Sequence, residues 1–283
     1  MTEQPNIQRV VAADNPELAN QIINEALSGG TPEAPQAAPA AAEGLGIDRR
    51  DIMPRDGFVQ LPGGYVNQEG ETLTEVEVVE LTGVAEEALA RPMGEGKRFT
   101  TILEHSVEKV GHMDPNHEIL NRMLIGDRNA VLLGVRHVTY GPVELENFIC
   151  PDCHQAVNLS VDLTKDVPVK VLEGDRNFTV DLSRGRVAEV SLPDGFSQTE
   201  VLNAEGKSEA ELISMILKGC VNSVDGIPMA GLDSVRNLSA RDRRTLMKAL
   251  DEHDFGPKLD KVVKPCPSCG EEISLPLTIG SLF

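Results

Sequence analysis

Two matching turns, far apart in the chain, constrain its fold more than any other feature. The first is Cys150-Pro151-Asp152-Cys153-His154 and the second is Cys266-Pro267-Ser268-Cys269-Gly270. Each follows an apolar run (145–149; Val262 and Val263) and precedes an alternating one (Val157, Leu159, Val161, Leu163; Ile273, Leu275, Leu277). A two-residue gap lets both sulfurs of a tight turn face one ion, and two such turns supply four thiolates. The pattern therefore predicts a closed tetrahedral zinc site of Cys150, Cys153, Cys266 and Cys269. Two disulfides, or cysteines that merely pack, are the competing readings. A catalytic zinc does not fit, because four sulfur ligands leave no open position for water.

Residues 154–265 lie between the two halves. A compact zinc ribbon separates its pairs by about 15–20 residues. The chain must therefore leave the site, build something and return to close it, so the metal would tie the end of the protein to its middle.

The formal charge of −19 opposes non-specific binding to nucleic acid or to anionic membranes. Four of the five cysteines in C-x-x-C pairs point to a reducing compartment with a metal site, and Cys220 reads as a small core hydrophobe. No apolar run reaches the length of a membrane span, and the N-terminus has no basic-then-apolar signal, which implies cytoplasmic synthesis.

The expected class is α+β: a helical and small-sheet core with a four-cysteine zinc ribbon split by a long insertion. Residues 1–45 read as a disordered tail. They hold a short amphipathic helix with Asn15 as N-cap and Leu18, Ile22, Ile23, Ala26 and Leu27 on one stripe, then an Ala/Pro-rich linker. This helix would fold on a partner; packing on its own domain, or no stable helix, is the competing reading. Residues 46–164 read as the core with the first knuckle, 165–260 as the inserted sheet and helices, and 261–283 as the second knuckle with an apolar end.

Within the core, strands are expected over 58–80, with a turn at Pro62-Gly63-Gly64. Helices are expected over 83–90 and 98–110, from Asp114-Pro115, and over 130–135 to Arg136-His137. Asp127 would be the N-cap of the last of these, whose end is Tyr140-Gly141-Pro142. Gly94-Glu95-Gly96-Lys97 is not a phosphate loop: Arg91 stands where the first glycine is needed, and Arg98 replaces Ser or Thr. His105 and His112 read as solvated side chains. Asp127 and Arg128 read as a helix start with a structural ion pair in preference to a catalytic pair. The insertion should hold three strands, over 167–172, 177–182 and 187–192. Two helices should follow, capped by Ser208 with Glu211 and by Ser239 with Asp242. No nucleophile elbow, Ser/His/Asp set or dinucleotide loop is present.

Two stretches carry a resemblance. Leu124-Ile125-Gly126-Asp127-Arg128-Asn129-Ala130 runs through an apolar helix to Tyr140-Gly141-Pro142 and the first knuckle. Asp254-Phe255-Gly256-Pro257 leads to the second knuckle and an apolar end at Phe283. Over about residues 56–283 this order is similar to the baseplate protein family of T-even-type phages. Its members are often labelled baseplate hub assembly chaperones and occur in contractile phage tails and contractile injection systems. The resemblance implies a non-enzymatic role in tail or baseplate assembly, phage tail or baseplate proteins as partners, and residence in the host cytoplasm during assembly or in the virion. Some family members lack the cysteines, so the metal does not define the family. A zinc-ribbon nucleic-acid-binding accessory protein is the rival reading; it is weakened by the charge and by the scarcity of basic residues near the knuckles, where Lys165, Lys261 and Lys264 stand. The apolar end, Ile279, Leu282 and Phe283, is expected either to dock on a partner or to fold back on the core.

Overall fold

A computed structural model describes residues 57–229, 231–275, 277 and 282–283. The expected N-terminal tail and Ile279 lie outside the described residues. The class is α+β, with eight helices and several small antiparallel sheets among the described residues.

The first sheet is antiparallel, with β1 (Phe58–Val66) and β3 (Val107–Val110) on either side of β2 (Thr72–Val78). Alternation puts Val76 and Val78 into the core, with Val59 of β1 opposite Val76, while Glu75 stays in solvent. The expected turn at Pro62-Gly63-Gly64 is instead a bulge within one continuous strand. Gln60 pairs with Glu75 and Tyr65 with Leu73, so the intervening β1 residues face far fewer β2 residues. That bulge takes the Gly63 and Gly64 amides out of the ladder and leaves them for another partner.

Helix α1 (Gly83–Leu89) is followed by α2 (Glu95–Ser106), which starts at the Gly94-Glu95-Gly96 stretch. Gly96 donates its amide to Asn203 Oδ1 at 3.0 Å, and a Cβ there would meet the Thr199 backbone at 2.5 Å. The glycine allows two helices to approach closely. The helix expected over 98–110 stops at Ser106, whose hydroxyl returns to the Ile102 carbonyl. The β-branched Val107 and Val110 instead pair with Val78 and Val76 of β2.

Asn116, not Asp114, caps α3 (His117–Arg122), its side chain accepting the Ile119 amide at 2.9 Å. Helix α4 (Ile125–Tyr140) follows and is the central element. Val131, Leu132, Leu133 and Val135 are all fully buried, and it stops at Gly141 with φ 69°.

The excursion begins and ends in a paired neck. β4 (Val143–Ile149) and β5 (Ala156–Val161) form the hairpin of the first knuckle. β6 (Val169–Lys170) then pairs with β11 (Gly256–Pro257), the Lys258 amide donates to the Pro168 carbonyl, and Lys264 Nζ lies 2.9 Å from an Asp166 carboxylate oxygen. Beyond the neck stands a second sheet, ordered β10 (Ile227–Pro228), β9 (Val221–Val224), β8 (Val187–Ser191), β7 (Asn177–Asp181). Helices α5 (Gly195–Leu202), α6 (Glu209–Cys220), α7 (Leu232–Arg236) and α8 (Ala240–Glu252) complete the unit.

Of the three runs expected to be strands, only 177–182 and 187–192 share a sheet. The first pairs in the neck, and the sheet's third and fourth strands come from 221–228, where no strand was expected. Ser208 with Glu211 and Ser239 with Asp242 cap α6 and α8 as read, and Cys220 is fully buried. The two units hold separate hydrophobic clusters, one around Phe99, Ile102 and Leu132, the other around Val190, Leu217 and Leu246.

The chain returns through β12 (Val263–Pro265) and β13 (Glu272–Ser274). Ile273, Leu275, Leu277 and Leu282 are all buried in the first cluster, and Phe283 lies edge-on to Tyr140 at 6.3 Å. At these positions the apolar end folds back on its own core, so the exposed row required for docking is absent there.

Candidate metal centre

The two knuckles are built alike. In the first, the Cys150 amide donates to the Gln155 carbonyl and the His154 amide to the Cys150 carbonyl, both at 3.0 Å. In the second, the Cys266 amide donates to Glu271 at 2.8 Å and the Gly270 amide to Cys266 at 2.9 Å. The fifth residue is left-handed in both, His154 at φ 57° and Gly270 at φ 81°. Glycine adopts that conformation freely; His154 carries a Cβ and does so at some cost. Each turn closes a hairpin, β4–β5 or β12–β13, so the strands fix where each pair of sulfurs points.

The four sulfurs of Cys150, Cys153, Cys266 and Cys269 lie within 4.8 Å of one another. The contacts across the knuckles, Cys150 to Cys269 and Cys153 to Cys266, are both 3.9 Å. All four are free thiols, about twice too far apart for the ~2.05 Å bond of a disulfide. The cluster is able to hold a metal ion. Cys150 and Cys266, one from each turn, are buried against the first core; Cys269 is exposed and Cys153 half-buried.

The sulfurs differ in acidity. The backbone amide of Cys269, helped by that of Ser268, outweighs burial and draws the Cys266 thiol down to about 7. Although a backbone bond at Glu271 pulls Cys269 down, burial and the three neighbouring sulfurs push it up to about 12. One thiolate near neutrality is a starting ligand for a cation, and each further thiol in so tight a cluster ionises readily only when a cation offsets its charge.

The second place where the chain concentrates polar chemistry is the seam between the two cores. Here the expectation for Asp127 needs correction. Leu124 is the N-cap of α4, and Asp127 sits inside its first turn. Its Oδ1 reaches across to the bulge of β1, accepting the Gly63 amide at 2.7 Å and the Gly64 amide at 3.2 Å. Its Oδ2 is buried without a hydrogen-bond partner. Burial, opposed by those amides and by the nearby Arg176, pushes Asp127 up to about 7.

Arg128 does not pair with Asp127. Fully buried, it donates to Leu120 O, Asn121 Oδ1, Thr100 Oγ1 and, at 2.9 Å, Gln198 Oε1, and its guanidinium lies 4.9 Å from the centre of the Phe99 ring. Burial lowers it to about 10. Asn129 accepts from Gln198 Nε2 at 3.3 Å.

Three glycines make the seam tight. A Cβ on Gly126 would meet Phe255 at 2.7 Å, one on Gly256 would meet the Gly126 backbone at 2.5 Å, and one on Gly63 would meet Phe255 at 2.6 Å and Asp127 Oδ2 at 2.9 Å. The segment 126–129 thus bonds or packs against β1, α3, α5 and the residues before β11. Among its partners, Arg176 and Gln198 had no signal in the sequence.

No family model, curated protein or solved structure matches this chain.

Proposed function

We propose that this chain is a non-enzymatic structural or assembly protein of a contractile phage tail baseplate, or of a related injection system, with one structural zinc. The observation that carries the metal part is the four-sulfur cluster. A tetrahedral zinc with Zn–S bonds of about 2.3 Å sets its sulfurs about 3.8 Å apart, close to the 3.9 Å of the two cross-knuckle pairs. Cys150, Cys153, Cys266 and Cys269 would hold the ion, and a shell of four thiolates makes it a structural cross-link. It would clasp the return strands to the β4–β5 hairpin after the excursion.

Support for the assembly role comes from the resemblance and from where its residues lie. Gly126–Asn129 and Phe255-Gly256, far apart in the chain, pack on one another at the seam. Part of what carries the resemblance thus lies where the two units join. The charge of −19 suits basic protein partners better than nucleic acid.

Affinity capture with the tagged full chain, in cells producing contractile tails, should recover tail or baseplate proteins. Removing residues 1–45 should weaken that capture while leaving the melting temperature unchanged. Retention of nucleic acid on filters at low salt, with no tail protein captured, would favour the rival reading instead.

A further inference from the structure

The seam holds a pair of groups, Asp127 and Arg176, that the metal site does not use and to which the proposed assembly role assigns no chemistry. The bulge of β1, residues 62–64, is gripped from two sides. Asp127 Oδ1 takes the Gly63 and Gly64 amides, and Arg176, from the inserted unit, donates to the Gly63 carbonyl at 2.9 Å and to the Gly64 carbonyl. Asp127 Oδ2 has no donor and is fully buried; it and the Phe255 ring both crowd the space a Cβ on Gly63 would take. Arg176 also lines a cleft of about 430 Å³ with Gly63, Leu172, Gly174, Asn177 and the exposed acidic residue Asp175.

We propose that Asp127 and Arg176 form a proton-operated latch on the β1 bulge. With Asp127 protonated, Arg176 holds the two carbonyls; with Asp127 ionised, the guanidinium turns to the free carboxylate oxygen and releases them. An arginine cannot give up its proton in this range, so its position responds to the charge of its neighbour. A buried carboxylate with no donor to one oxygen is poorly solvated, and Arg176 is the cation whose charge acts on it.

The groups packed on Asp127 are the two glycine amides from β1, the uncharged Phe255 from before β11, and Arg176 from before β7. Its chain neighbours Arg128 and Asn129 are engaged with α3 and α5. Arg176 is therefore the charge that acts on it. Asp127 stands at about 7 against an ordinary value of 3.8. The folded chain thus keeps a proton that the unfolded chain loses, so the closed seam is favoured at acid pH. That advantage declines as pH rises from about 4 to about 7 and is gone above it.

The test is a pH titration of the intact chain by nuclear magnetic resonance. The side-chain carboxyl carbon of Asp127, the Gly63 and Gly64 amides and the Arg176 guanidinium should shift with one shared inflexion near pH 7. In Asp127→Asn the glycine and guanidinium inflexions should vanish. In Arg176→Gln the Asp127 inflexion should move upward, since the cation favours the carboxylate. If the asparagine variant does not fold, the titration of the unaltered chain decides alone. An Asp127 carboxyl that ionises below pH 5 overturns the latch, as does an Arg176 signal that does not follow it.

Discussion

The knuckle cluster and the 126–129 seam fasten the same excursion, and they do so by opposite means. The cluster joins the outer ends of the excursion, with two sulfurs turned toward solvent and all four supplied by two short turns. The seam joins the excursion's body to the core through the buried Asp127 and Arg128 and partners drawn from across the chain, some buried and some half-buried: Gly63, Leu120, Arg176, Gln198, Phe255. The difference teaches where each fastening is weak. On the proposed reading the cluster depends on one ion and fails when that ion is removed. A buried polar network has no such single element; each deletion leaves particular partners unsatisfied.

The largest break should come from the cluster. Cys266→Ser removes a buried sulfur from the proposed zinc site, and the segment around it places Val262, Ile273, Leu275, Leu277 and Leu282 in the first core. Loss of a structural metal belongs with the rare substitutions above about 4 kcal/mol. For a protein this size that is a fall in melting temperature of roughly 8–16 °C by calorimetry. Proteolysis should begin between residues 262 and 283, while the inserted unit, with its own core, resists longer. Early cleavage within 180–255 would mean that the two units do not fail separately.

Arg128→Met should come next. It removes the donors to Leu120 O, Asn121, Thr100 and Gln198 while keeping apolar bulk beside Phe99, and about 2–4 kcal/mol should be lost in urea unfolding. A loss under 1 kcal/mol would show that water or rearranged side chains satisfy these groups, and the seam would be looser than described.

Asp127→Ala strips the acceptor from two amides, one of them buried, and should cost about 2–3 kcal/mol, above the ~1 kcal/mol of an ordinary helix cap. This cost should be larger at pH 5.5 than at pH 8.5. The folded chain holds the Asp127 proton up to about 7, so the native group contributes most below that value. A cost that grows with pH would contradict the seam's electrostatics.

The smallest effect should be at the neck. Lys264→Ala removes a half-buried ion pair with Asp166 beside the second knuckle and should cost about 0.5–1 kcal/mol, diminishing at high salt.

The contrast also explains what could be read from the sequence. Both knuckles, the four cysteines they bring together and their hairpins were legible, because a C-P-x-C turn between alternating runs is local information. So were the capping box of Ser208 with Glu211 and the apolar run of α4. The seam was not. Asp127 looks like an N-cap because the residues near it in sequence are a helix start; its true partners are amides freed by a bulge 63 and 64 residues away. Nor did Val107 and Val110 announce a strand, since their spacing also continues the stripe of α2, and pairing with Val78 and Val76 decided the matter. Strand β9 was hidden behind Cys220, at the end of a strong helical pattern.

The central claim, that Cys150, Cys153, Cys266 and Cys269 close the excursion around one zinc, is tested most directly by metal analysis of the purified chain with thiol titration before and after chelation. The account predicts one zinc per chain. Before chelation the four cluster thiols are protected; after it they react, while buried Cys220 becomes reactive only on unfolding. A chain without zinc, whose four cluster thiols react at once and whose melting temperature does not respond to added zinc, would contradict it.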